Sequence, residues 1–92
     1  MSEPKKVGHA QHLKAVNHPI RREMLKRING ITIISKEDLL QDLVNSNIIE
    51  QEEVFDYNMQ FLIQAQCVKK VVDNNKISYE ILPGGKVIEN FY

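Results

Sequence analysis

Ninety-two residues leave room for a single domain, and 42% apolar with 26% charged residues fits a folded globular chain, not a disordered one. The lone Cys67 excludes an internal disulfide and a multi-thiolate metal site, and no apolar run approaches the roughly 18–20 residues of a membrane span. The formal net charge of zero hides three blocks: residues 1–34 carry seven basic groups against two acidic, residues 35–66 one against seven, and residues 67–92 four against three. Any function has to accommodate that acidic middle. Residues 1–10 lack the apolar stretch of a secretory signal, so a cytoplasmic location is expected. At this size the core is small, and part of its apolar surface can depend on a partner subunit.

Residues 1–8 are polar, contain Pro4 and Gly8, and read as a flexible tail ahead of one domain over 9–92. A first helix is expected over 9–16, with Ala10, Leu13 and Val16 on one face. Asn17, His18 and Pro19 interrupt it; proline suits a first helical turn, and Asn17 or His18 can cap it. A second helix therefore starts near Pro19 and buries Ile20, Met24, Leu25 and Ile28. It turns Arg21, Arg22, Lys26 and Arg27 outward and stops at Asn29-Gly30. Residues 31–34 are β-branched throughout and read as a short strand. Ser35 and Asp38 stand at capping-box spacing before a third helix, whose apolar face is Leu39, Leu40, Leu43 and Val44. Asn45, Ser46 and Asn47 end it in a turn, and a fourth helix is expected over 51–65. The period then changes to two. Residues 69–73 and 77–82 read as strands joined by a tight turn at Asn74 and Asn75, which tolerate positive φ. Pro83, Gly84 and Gly85 break the second strand, and residues 86–91 can form a last short helix. These patterns predict Leu13, Ile20, Leu25, Leu39, Leu43, Phe55, Leu62 and Val68 to be buried.

Helix, helix, short strand, helix, helix, hairpin, helix is the order of a winged helix-turn-helix. That fold is α+β and mostly helical, with a three- to four-helix core, a C-terminal β-hairpin wing and a short C-terminal helix. Residues 13–25 (LKAVNHPIRREML) resemble the opening of the ArsR-type winged-helix regulators, especially the small archaeal ones. Residues 55–59 (FDYNM), followed by Leu62, Ala65, Cys67 and Val68, are similar to that family's recognition helix and the turn after it. Residues 81–86 (ILPGGK) are similar to its ending, so the resemblance covers about residues 10–90. Asn58 departs from the family pattern, which has histidine there. Gln66 replaces a glycine and costs of order 1 kcal/mol if that position is left-handed. Cys67 stands for leucine and reads as a small buried apolar side chain. The resemblance implies a DNA-binding transcriptional regulator acting as a homodimer, with Val87, Ile88 and Phe91 on the paired terminal helices.

The chemistry-bearing residues agree in part. His9 and His12 are three apart but have no third ligand nearby, so two solvated histidines are expected rather than a metal site. His18 reads as a capping or packing residue. No catalytic grouping or phosphate loop is recognisable, so no enzyme, catalytic residue or cofactor is expected. In helix-turn-helix modules the second helix lies in the major groove and the wing reaches toward the backbone or minor groove. That places Tyr57, Asn58 and Gln60 toward base edges or phosphates, and Lys70, Asn74, Asn75 and Lys76 on the wing. Ser35 and Lys36, with the free N–H groups of the third helix, can hold a phosphate.

The recognition helix, however, has no Lys or Arg. Glu53, Asp56, Gln60 and Gln64 form its polar face, whereas phosphate neutralisation normally dominates affinity for DNA. The arginines of the second helix, with Lys36, Lys70 and Lys76, are then left to supply the attraction. Val54, Tyr57 and Phe61 form a second apolar stripe beside the expected core stripe of Phe55, Met59 and Leu62. That stripe either packs against the first helix or wing, or serves as a surface for a protein partner. Two functions stay open: a dimeric DNA-binding regulator, or a winged helix repurposed for protein interaction.

Overall fold

The computed structural model describes residues 8–86. Its elements are α1 (His9–Val16), α2 (Pro19–Ile31), β1 (Ile33–Ser35), α3 (Lys36–Asn45), α4 (Glu52–Gln64), β2 (Val68–Asp73), β3 (Lys76–Ile81) and α5 (Pro83–Lys86). This is the winged-helix order, with a three-stranded antiparallel sheet arranged β1-β3-β2. The expected dimer residues Val87, Ile88 and Phe91 lie outside the described residues.

Local signals place most boundaries. Pro19 opens α2, and the His18 ring caps it: Nδ1 accepts from the Ile20 N–H at 3.2 Å. Ser35 Oγ accepts from the Asp38 N–H at 3.1 Å and starts α3. Asn74 and Asn75 both take positive φ, 52° and 64°, as a two-residue hairpin turn requires. Two boundaries differ. α2 runs through Gly30 to Ile31, and Thr32 makes the turn at φ 75°, a conformation β-branched residues rarely adopt. Hydrogen bonds on both sides hold it there: the Thr32 N–H donates to the Ile28 carbonyl, and the Thr32 carbonyl accepts from Ile81 N–H. The last helix begins three residues earlier than expected, at Pro83, since the glycines do not end the helical turn but allow it to dock. A Cβ at Gly85 would sit 2.4 Å from the Cys67 carbonyl oxygen.

The core lies between the sheet and the helices. Met24, Leu25 and Ile28 of α2, Leu39 and Leu43 of α3, and Phe55, Met59 and Leu62 of α4 meet Val68, Tyr79 and Ile81 of the sheet. Of the eight residues expected inside, six are fully buried. Ile20 is half-buried against the core, and Leu13 is exposed because α1 turns Ala15 and Val16 inward instead. Cys67 is buried, which pushes its thiol up to about 11 and leaves it a packing residue. Lys70 and Val72 are opposite Tyr79 and Ile77 in the hairpin register, yet both stay exposed.

Candidate nucleic-acid interface

Helix α4 divides lengthwise. Phe55, Met59 and Leu62 enter the core, while Glu53, Asp56, Tyr57, Gln60 and Gln64 face solvent. Glu52 and Glu53 in the first turn suit the positive end of the helix dipole, a local reason for acids there. Tyr57 is 64% exposed and meets Phe61 edge-on, with ring centroids 5.2 Å apart.

Asn58 does not join the exposed row, contrary to the expectation for a base-reading residue. It is buried, its Nδ2 donates to the Val54 carbonyl, and its Oδ1 accepts from Arg21 Nε at 3.0 Å. On the helical wheel Asn58 falls roughly 140° from Glu53, between Val54 and Leu62, so the periodicity carried the signal. The expected outward face of α2 also needs correction. Arg21 is buried, donates from Nη1 to the Lys14 carbonyl, and lies 3.8 Å from the centroid of the Phe61 ring. Its place among Met24, Leu25 and Ile28, at i, i+3, i+4 and i+7, already put it on the core stripe. Burial lowers its pKa from the ordinary value. Arg22 donates to the Val16 carbonyl and to Asn17 Oδ1, so both arginines serve the last carbonyls of α1. Arg27 bridges Glu23 and Asp42, each at 2.7 Å.

The second apolar stripe separates as well. Val54 packs against the core and Phe61 sits half-buried under Arg21, with Lys14 5.6 Å from the ring centroid; only Tyr57 projects.

The α3 start is where the site departs most from expectation. Ser35 is occupied as the helix cap, and Lys36 is held by two carboxylates of α4: Nζ lies 2.9 Å from Glu52 Oε2 and 3.0 Å from Asp56 Oδ1. It also lies 5.7 Å from the centroid of the Phe55 ring. Hydrogen bonding to Glu52 first, and to Asp56 as well, pushes its pKa up to about 12 against the opposing effect of burial. Spacing along the chain gave no sign of this bridge, which joins residues 16 and 20 positions apart.

The wing brings its own groups beside these helices. Lys70 and Ile77 share a cleft of about 260 Å³ with Lys36, Asp56, Gln60 and Ile63. Asn75, Lys76 and Ile77 share a second, of about 360 Å³, with Ser35, Lys36, Glu37 and Glu52. Asn74, Asn75 and Lys76 are exposed at the tip.

The histidines act in packing. His18 caps α2, and His12, half-buried rather than solvated, places Nε2 2.8 Å from the Gly84 carbonyl oxygen, joining α1 to α5; His9 is exposed. Among the described residues no group of three or more His, Cys, Asp or Glu side chains is placed to hold a metal. No described helix is long and apolar enough to cross a membrane.

The sequence matches no family model and no curated protein. The fold is similar to the crystal structure of an ArsR family transcriptional regulator, with a TM-score of 0.66 over 89% of this chain and 78% of that one. Their sequences are 13% identical, a likeness of fold.

Proposed function

We propose that this chain is a winged-helix DNA-binding protein, a transcriptional regulator that engages duplex DNA as a homodimer. The observation that supports it is the shared surface of wing and helix: Lys70 beside Gln60, and Lys76 with Asn75 beside the start of α3. On this reading Tyr57 and Gln60 approach base edges in the major groove, and Lys70, Asn74, Asn75 and Lys76 contact the backbone. Since α4 brings no cation and the arginines of α2 are engaged inside the fold, each half-site is weak. Pairing through Val87, Ile88 and Phe91 lets two such contacts add. The test is a titration of a labelled duplex at two salt concentrations. Binding should weaken with salt, and Lys76→Ala should weaken it further and lower the salt slope by about one phosphate contact.

One observation favours a second reading. Tyr57 projects from an α4 surface whose charged members, Glu52, Glu53 and Asp56, are all acidic. An aromatic anchor in an acidic rim suits a basic protein partner. DNA affinity at physiological salt would then be no better than non-specific, of order 10⁻⁴–10⁻⁶ M or weaker. The partner contact would be lost on Tyr57→Ala. Sequence-selective, submicromolar binding to a duplex by the unaltered protein decides for the regulator.

A further inference from the structure

Lys36 occupies the first position of α3, where the helix dipole disfavours a cation. It is nonetheless held from three sides, by Glu52 and Asp56 at 2.9 and 3.0 Å and by the face of Phe55. The two carboxylates stand one turn apart on α4, so both reach the same ammonium. They occupy it as the oxygens of a phosphate would, at the mouth of the cleft that also holds Ser35, Asn75 and Lys76.

Resting on the DNA-binding reading, we infer that Glu52 and Asp56 are specificity-determining residues: they compete within the molecule for the cation that a backbone phosphate would take, and so suppress binding to arbitrary sequence. A phosphate approaching Lys36 must displace two carboxylates already bonded there, and must then remain beside their charges. Phosphate contacts alone therefore gain nothing at this position. Only a duplex whose base edges suit Tyr57 and Gln60 holds the helix without them. This is discrimination by a repulsive element, added to whatever attractive contacts select the correct site.

The inference separates Lys36 from the wing lysines. In the unaltered protein Lys36 releases no counterion, whereas Lys76, exposed at the wing tip, does. It also separates Glu52 and Asp56 from other acids nearby. Glu37 and Glu53 are exposed on the same two helix starts but are not bonded to Lys36, so neutralising them changes net charge equally and leaves the bridge intact.

The experiment is a mutant cycle on a mixed-sequence duplex, read by anisotropy across a salt series, with thermal melting of each variant to confirm the fold. Lys36→Ala alone should leave the affinity of the unaltered protein within about twofold. Glu52→Gln with Asp56→Asn should tighten binding roughly fivefold to tenfold near 0.1 M salt and steepen the salt slope by about 0.9, one added phosphate contact. Lys36→Ala in that background should remove the gain. Glu37→Gln with Glu53→Gln, the charge-matched control, should tighten binding less, without a gain that depends on Lys36. Equal weakening by Lys36→Ala in both backgrounds, or an equal gain from both acid pairs, overturns the inference and leaves the DNA reading standing. Salt-independent or undetectable binding by every variant overturns the DNA reading, and this inference with it.

Discussion

An imidazole caps α2, and that bond requires His18 Nδ1 to be unprotonated. Burial, and then the charge of Arg21, lower the His18 pKa below its ordinary value of 6.5. The folded chain therefore resists a proton that the unfolded chain accepts. The contribution is fully present above pH 6.5 and is lost as pH falls through the folded-state value. Melting temperature should accordingly fall between about pH 7.5 and 5.5, and His18→Asn, which keeps a capping oxygen without a titrating ring, should flatten that decline. An unchanged slope in the variant would assign the acid sensitivity elsewhere. Arg21 shows the same dependence on immediate surroundings. Among the described residues no carboxylate pairs with its buried charge, but the Lys14 carbonyl near the end of α1, the Asn58 side chain and the Phe61 ring all face it.

Two helices end alike, with different residues at the turning point. After α3, Ile48 N–H donates to the Leu43 carbonyl and Asn47 N–H to that of Val44, with Asn47 at φ 60°. After α4, Cys67 N–H donates to the Leu62 carbonyl and Gln66 N–H to that of Ile63, with Gln66 at φ 59°. Both are Schellman endings, closed by an apolar residue that folds back over the last turn. Asparagine tolerates the left-handed conformation; glutamine does so at a cost of about 1 kcal/mol. Gln66→Gly should therefore stabilise the protein by about 1 kcal/mol in denaturant unfolding, and Asn47→Gly by clearly less. Equal effects at the two positions would mean that the left-handed turn at Gln66 is not strained.

At the scale of the whole molecule, much of the positive charge on the described helices is engaged within the fold. Arg21 and Arg22 serve the end of α1, Arg27 pairs with Glu23 and Asp42, and Lys36 pairs with two acids of α4. The arginines of α2 are thus used to hold the fold, while among the described residues Lys14 and the wing lysines are exposed beside α4. That distribution makes pairing important to the proposed function, because one copy has few cations to offer a duplex. Sedimentation at concentrations of order tens of micromolar should show a dimer whose dissociation increases on Phe91→Ala. A monomer throughout that range would remove the additive half-sites on which the regulator reading depends.

The sequence by itself determined the element order, a cap for α2 at Asn17 or His18, the cap at Ser35, the Asn74-Asn75 turn and most of the core. All of these depend on neighbours a few residues apart, or on a period that one helix or strand must satisfy. It also held the inward positions of Asn58 and Arg21 on their stripes, though polar side chains there ordinarily face water. Only the tertiary structure paired them, across 37 residues, adding that bond to those each makes with a nearby carbonyl. The same holds for Lys36. Its charge and its place at a helix start both read as a phosphate contact, until the packing of α3 on α4 brings Glu52 and Asp56 to it. Helix packing angles set which charges meet, and no local pattern encodes those angles.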